Sequence, residues 1–545
     1  MSDNLNTAPN FPDGSLEKTI TVWHKRDTVF AVMTLVASVP FADWSVFGGF
    51  NAGFTVSFIM LFVLTAVYIL KLKKSFGAFS VFCGLSSAAF SVIFLIYNNS
   101  ALNTLFFVAA VFLYGIFVSY SFTERNKNSS PVISSFDTVI VKPFDNITAP
   151  FVSYKAYRNK KGSDPFNRQV LLGIALSVPI LFIILPLLIH ADAAFEGLIS
   201  AAFSKFGIVI AKILLGAALA IYLFSMLFAV KNNLKPKDCI VHLHEDYKRL
   251  APLTAVTLSS VLSAVYLAYL LSQSAYFSGG FSGILPEGYT FSFAEYARRG
   301  FFELCAVCTV NLIIVFLIML FAKQDSNKKL PFSVRLSIIG ICVFSLVFTA
   351  TAISKMFLYI SFYGLTRLRL LTSIFMIALA LLFILIILSV SVKKIPAVKC
   401  AIVCFAVIGL ITGFCDVDRT VAGYNVSAYK RGALTEIDIE YLSGLSDSAV
   451  PYIAELADCK DEAVKSAVLT ALYIKTERLF NIKNGKIYEK TESKPSKYNY
   501  SRERAKDCIR KNIKSIAKAE RERRAAEEEN FNYFYNEDYY YSENY

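Results

Sequence analysis

A chain of 545 residues that is 55% hydrophobic and only 18% charged, with a mean hydropathy of +0.51, carries more apolar surface than a soluble fold of this size can bury. That excludes an ordinary water-soluble domain, and the net charge of +14 does not redirect the reading toward nucleic acid. The Lys and Arg residues lie dispersed beside apolar runs instead of gathering on one soluble face.

The expected fold class is all-α: a polytopic α-helical integral membrane protein of about 11 transmembrane helices, with a small helical extramembrane C-terminal region. Residues 1–27 read as a disordered cytoplasmic N-terminus without an apolar core and cleavage site, so the first span is expected to serve as the insertion signal. Apolar runs able to cross a hydrocarbon core of roughly 30 Å follow at 28–49, 51–70, 76–97, 101–121, 169–189, 207–230, 252–273, 301–322, 334–354, 369–391 and 397–414. The first four form a four-helix N-terminal membrane part, 28–121, made of two tight hairpins. A basic cytoplasmic loop, 122–168, rich in Ser, Asn, Pro and Lys, reads as loop and short helix with its basic residues toward lipid headgroups. The other seven runs form a membrane core, 169–414.

Alternate loops on one side hold 26 Lys and Arg residues, and those on the other hold six. By the positive-inside rule the N-terminus is cytoplasmic and the C-terminus extracytoplasmic, at the cell (plasma) membrane. On the outer side, "IHADAAFEGLISAAF" spaces Phe195, Leu198, Ile199 and Phe203 along one helical face, which predicts an interfacial helix started by Asp192. "SAYFSGGFSGILPEGYT" is rich in Gly, Ser and aromatic residues and reads as a loop pressed onto the membrane.

From Cys415 the chain has a soluble composition, with 22 basic and 23 acidic residues. A helical extracytoplasmic region, 415–529, is expected, with helices in "TEIDIEYLSGL", "SDSAVPYIAELAD", "DEAVKSAVLTALYIKTERLF" and 500–529. Ser446 or Asp447 caps the second of these. Residues 530–545 read as a disordered Tyr-rich tail, and the lipid bilayer and an extracytoplasmic envelope protein are the expected partners.

The polar residues at the outer ends of the spans are the candidate site. In "YTFSFAEYARRGFFEL", Ser292 and Glu295 form a capping box that starts a helix near Phe293, and from there to Lys323 is about 45 Å of helix, longer than the bilayer. Its first two turns must therefore leave the hydrocarbon, either bent near Gly300 or as a straight extension. Glu295, Arg299 and Glu303 recur at i, i+4 and i+8 with Arg298 beside them. Glu303 is the deepest, and a carboxylate there needs a partner, a proton or a wet cavity.

"YGLTRLR" adds Arg367 and Arg369 on the same side, where basic residues are disfavoured, and Lys355 closes the preceding span. A shared ligand- or ion-binding site with Glu303, Glu295, Asp192, His190 and Asp43 would suit carboxylate or phosphate groups. The competing reading is snorkelling, or ion pairs that fix helix ends.

No metal and no cofactor are expected. Cys305 and Cys308 have CxxC spacing but lie in an apolar helix without a nearby His. Cys239, His242 and His244 in "DCIVHLHED" fit no zinc spacing.

Four stretches, "LPLLIHADAAFEGLI", "LPEGYTFSFAEYARRGFFELCAV", "YGLTRLRLLTSIFMI" and "DVDRTVAGYNVSAYKRGALTEIDIEYLSGLSDSAVPYIAEL", together resemble a bacterial family of polytopic membrane proteins catalogued as domains of unknown function 4173 and 4153. The resemblance covers about 165–510 and leaves the first four spans and the Tyr-rich tail individual to this chain. It implies the architecture and carries no catalytic residues.

The reading that follows is a noncatalytic envelope sensor, binding or scaffold protein. The alternatives are a small-solute or ion transporter and a lipid-linked transferase. For the transferase the first outer loop offers only Asp43, and no G-x-S-x-G, HExxH, Walker or dinucleotide motif stands in a suitable context.

Overall fold

The computed structural model describes residues 23–72, 74, 76–122, 130–160, 184, 193–234, 250–282, 300–325, 329–392, 395–483, 486–489 and 495–542. Among these, ten helices are long and apolar enough to cross a membrane. The protein is a multi-pass, all-α membrane protein, and the expected span at 169–189 lies almost wholly outside the described residues.

The helices in chain order are α1 (Lys25–Phe41), α2 (Ala52–Lys71), α3 (Ala78–Ile96), α4 (Ser100–Phe122), α5 (Pro131–Phe136), α6 (Lys142–Asp145), α7 (Ala149–Lys160), α8 (Ala193–Lys231) and α9 (Pro252–Ser282). They continue with α10 (Phe301–Phe321), α11 (Phe332–Tyr363), α12 (Arg367–Ser391), α13 (Ala397–Cys415), α14 (Val417–Lys430), α15 (Ile439–Ser443), α16 (Val450–Ala454), α17 (Glu462–Leu479) and α18 (Tyr500–Ser542). One antiparallel hairpin, β1 (Phe480–Lys483) and β2 (Lys486–Glu489), sits between α17 and α18. The sequence reading places no hairpin here, although Asn484-Gly485 between two alternating runs is the usual signal of a two-residue hairpin turn, and the fold remains all-α around it.

Two compact units emerge, neither of them a continuous stretch of chain. The first comprises Met1–Asp43, Val63–Phe76 and Val118–Cys239. In it α1 packs along α8, and the carboxylate of Asp27, fully buried, accepts from Lys231 Nζ at 2.6 Å, Tyr68 Oη at 2.6 Å and the His24 backbone N–H at 2.9 Å. Phe30 stacks on the same Tyr68 with ring centroids 4.0 Å apart. Burying a carboxylate is costly unless it is paired and hydrogen-bonded, and here three donors from three parts of the chain meet that need.

The second unit comprises Trp44–Phe62, Gly77–Phe117 and Ile240–Tyr545. Its membrane core is a cluster of α9, α10, α11 and α12 side chains that includes Phe301, Leu304, Ile338, Phe348, Met376 and Phe383. After Cys415, Val421, Val426, Leu442, Ile453, Leu472, Ile509 and Ile516 fill a second core among α14–α18.

Several helices run longer than the sequence predicts. α8 is one 39-residue helix, so the expected interfacial segment near 193–203 is its first three turns and not a separate element. α9 continues to Ser282, into the Gly- and Ser-rich stretch read as loop. α11 holds 32 residues, so Lys355 lies buried inside a helix and not at its end. α18 reaches Ser542 through most of the Tyr-rich stretch. The common reason is that helix extension, once nucleated, adds one hydrogen bond per residue, and none of these stretches contains a proline to stop it.

At α10 the opposite holds. Gly300 takes the left-handed conformation with φ of 86°, which ends helical continuity there and rules out a straight extension across this residue.

Candidate functional site

The ends of α11 and α12 carry the most elaborate polar architecture in the second unit. Gly364, with φ of 73°, turns the chain out of α11, and Thr366 caps α12 by accepting from the Arg369 N–H. The turn is held from outside: the Asn425 side chain on α14 accepts from Leu365 N–H and donates to Leu365 C=O, both at 2.7 Å. Tyr441 Oη accepts the next backbone N–H, that of Arg367, at 2.7 Å.

The Arg367 guanidinium forms a two-pronged pair with Asp418, its Nε on Oδ1 and its Nη2 on Oδ2, the latter at 2.7 Å. Asp418 is fully buried, and its Oδ2 also accepts the Ser446 N–H at 2.8 Å. Burial pushes the Asp418 carboxyl up, but the hydrogen bonds from Arg367 and Ser446 prevail and hold it below the usual carboxylate range. This fork fits carboxylate geometry, and it fastens the first residue of a membrane span to the extramembrane helices.

Further buried charges line the same region. Asp447, fully buried, accepts from Arg478 at 2.8 Å and Arg502 at 3.5 Å, which ties α17 and α18 to one point. Lys475 donates to the Leu445 carbonyl at 2.5 Å, and burial pushes its ammonium below the usual lysine range. Asp416 joins α13 to α14 with φ of 50°, unusual for a side-chain-bearing residue. Its Oδ1 accepts the Asp418 N–H at 3.2 Å, and burial raises its carboxyl above the usual range, with Ser448 and Asn99 softening the rise.

Beside Arg367 lies an open cleft of about 480 Å³ lined by Arg367, Asp438, Glu440, Tyr441, Gly444 and Leu445. There the ion pair that anchors α12 meets solvent-facing acidic and phenolic groups.

Of the residues singled out from sequence, Arg367 stands at this site. Arg369, two residues on, has a different role: its guanidinium stacks over Tyr359, 4.1 Å from the ring centroid, and donates to the carbonyls of Tyr363 and Gly364. It thereby closes the last turn of α11. Glu303 is exposed on the first turn of α10, where its charge acts on Lys355 and Tyr269. Lys355 Nζ lies against Gly300. Asp43 belongs to the first unit and pairs with Lys212 at 2.6 Å. Glu295, Arg298, Arg299 and Asp192 lie outside the described residues, as do His190, Cys239, His242 and His244.

Sequence reasoning missed Asp416, Asp418 and Asp447. Asp418 could have been found, since "FCDVDR" sets two carboxylates at the end of a span on the side that holds the unexplained Arg367. Inside the spans, Asn311 accepts from Tyr266 and donates to Ser345 Oγ at 3.0 Å, while Cys308 Sγ sits 3.5 Å from Thr349 Oγ1. This forms a short polar chain through α9, α10 and α11. Among the described residues, no group of three or more His, Cys, Asp or Glu side chains is placed to hold a metal ion.

A family model described as Domain of unknown function (DUF4153) matches residues 84–456, more than half of the chain. The match begins within α3 and ends just beyond α16. It therefore takes in α4, which the motif reading left outside the family, and stops before the hairpin and α18. Neither a curated protein nor a solved structure matches the chain.

Proposed function

Because this chain belongs to the DUF4153 family, which comes with no reaction to test against, we propose a function from the geometry: a noncatalytic membrane sensor that binds a small polar ligand outside the bilayer. One observation carries this reading. Arg367 lines the cleft, starts span α12 and grips the buried Asp418, so a ligand that reorients its guanidinium acts on a span and on the extramembrane core together. Asp438, Glu440 and the Tyr441 hydroxyl around it favour a cationic or hydroxyl-bearing ligand.

In this proposal the protein lies in the cell membrane with its N-terminus cytoplasmic and the cleft extracytoplasmic, and the helical C-terminal region also offers a surface to an envelope partner. Kinship with the 4173 group belongs here too, supported by the order of the four motifs.

Thermal unfolding of the full chain in lipid nanodiscs, with spermidine as the cationic probe, tests the cleft. The midpoint is expected to rise with probe, and the rise to vanish in Glu440→Gln combined with Asp438→Asn. A wild-type midpoint that ignores the probe removes the cationic-ligand reading.

A second reading, a small-solute or ion transporter, is favoured by the polar chain Tyr266, Asn311 and Ser345 across three spans. Hydrogen bonds of this kind also serve as plain packing between spans. Flux of a labelled solute in proteoliposomes that falls in Asn311→Leu, with folding intact, would select transport over sensing.

A further inference from the structure

The stretch 131–160 lies between membrane spans and outside every helix long enough to cross. Its sequence nevertheless places Phe136, Ile140, Phe144, Ile147 and Phe151 at successive helical spacings of four, four, three and four, and all five side chains are exposed. Phe144, at 63% exposure, is as open as Leu214 in the middle of span α8. A stripe of this size facing water would be a liability in any soluble loop.

The backbone explains where the stripe sits. Pro143 has no N–H, so the carbonyl of Val139, four residues earlier, loses its helical partner, and the turn Asp137–Val141 widens to π-helical spacing. That freed carbonyl is taken by the Tyr222 hydroxyl of α8. Ser225 Oγ, one turn further along α8, donates to the carbonyls of Pro143 at 3.1 Å and Asn146 at 3.0 Å.

These donors are not at the end of the span. Ser225 and Tyr222 precede Lys231 by six and nine residues, which is roughly 9 to 14 Å along the helix. The span Gly207–Lys231 is about 37 Å long against a hydrocarbon thickness of roughly 30 Å, so both lie at hydrocarbon depth. Irregular backbone survives there only when its polar groups are met by protein, which is the service Tyr222 and Ser225 provide.

We propose that 131–160 is a re-entrant membrane element. It enters the bilayer beside α8, seats its broken turn on Tyr222 and Ser225, and presents the Phe136–Phe151 stripe to lipid acyl chains. Lys142 is neutralised by Asp137 at 3.0 Å, Asp145 is half-buried beside the broken turn, and Lys155 is exposed at the far end, the margin where headgroup phosphates lie. The occupant is the bilayer, because the stripe is continuous in depth with the lipid-facing side of a span.

The test places single tryptophans in a full-length Trp23→Phe, Trp44→Phe background, reconstituted in vesicles of phosphatidylglycerol and acyl-brominated phosphatidylcholine. Phe144→Trp is expected to lose as much emission to the brominated chains as Leu214→Trp, and to be insensitive to aqueous iodide. Quenching by iodide without quenching by bromolipid overturns the proposal by placing the stripe in water. Quenching by neither overturns it by placing the stripe against protein, a second copy of the chain included. If Phe144→Trp does not fold, Ile140→Trp on the same face gives the same reading.

Discussion

The first unit buries Asp27 completely and the second buries Asp418 completely, and the two carboxylates are solvated differently. Asp27 in the first unit takes one contact from the point charge of Lys231, one from Tyr68 and one from a backbone N–H. Asp418 in the second takes both prongs of the Arg367 fork and a backbone N–H. A lysine contact tolerates rotation, whereas a planar fork fixes both distance and angle. The first arrangement binds helix ends together, and the second also fixes the orientation of a span against a folded extramembrane core.

The largest expected effect tests that contrast directly. Asp418→Ala leaves Arg367 without its buried partner and should cost about 3–5 kcal/mol, read as the denaturant midpoint of the C-terminal region in nanodiscs. Arg367→Met combined with Asp418→Leu should recover most of the loss. Recovery of nothing would mean that the pair does more than satisfy charge.

In the first unit, Lys231→Met should cost less, about 2 kcal/mol, because Asp27 keeps its Tyr68 and backbone hydrogen bonds. Equal losses for the two substitutions would erase the distinction between fork and point charge.

Asn425→Ala strips both polar groups of Leu365 of their partner and should cost about 2 kcal/mol with little change in helix content, measured by the same titration with circular dichroism. A smaller, pH-dependent effect sits at the α13–α14 joint. The Asp418 carboxyl is held below its ordinary value of 3.8, so its stabilisation is complete above that pH and is lost as pH falls through its lower folded value. The Asp416 carboxyl is raised, so its contribution runs the other way: stability declines as pH rises above 3.8 through its higher folded value. Asp416→Asn should therefore flatten the decline above that pH and leave the acid-side loss intact, as midpoints across a pH series would reveal.

The smallest effect is expected where no burial is involved. Glu462→Ala removes the exposed partner of Lys465 and should shift stability by less than about 0.5 kcal/mol.

The spans were legible because an apolar run of bilayer length is a property of contiguous residues, and every described span except α11 lies within a few residues of its run. Arg367 was legible as an anomaly, a cation at the wrong end of a span. Its partner was not, because Asp418 lies 51 residues further on and nothing local in "DVDR" says which cation it meets. The Asp27–Lys231 pair, 204 residues apart, is hidden for the same reason. α14 went unread because its apolar positions are few and its cap, Asp416, adopts a conformation that residue type does not advertise. The lengths of α8, α9 and α11 were misjudged because charge and glycine were taken as ends, although neither breaks a helix whose neighbours hold it.

The length of α11 also sets a scale for the surrounding bilayer. Arg335 in its first turn and Lys355 are 20 residues apart, about 30 Å along the axis, which is the thickness of a hydrocarbon layer. The eight residues from Met356 to Tyr363 carry the helix beyond that length, and they include Tyr359 and Tyr363, over whose rings the Arg369 guanidinium stacks. The helix thus carries Arg335 in its first turn and a buried Lys355 eight residues before its end, and the turn that leads to Arg367 is attached to the overhang beyond that lysine.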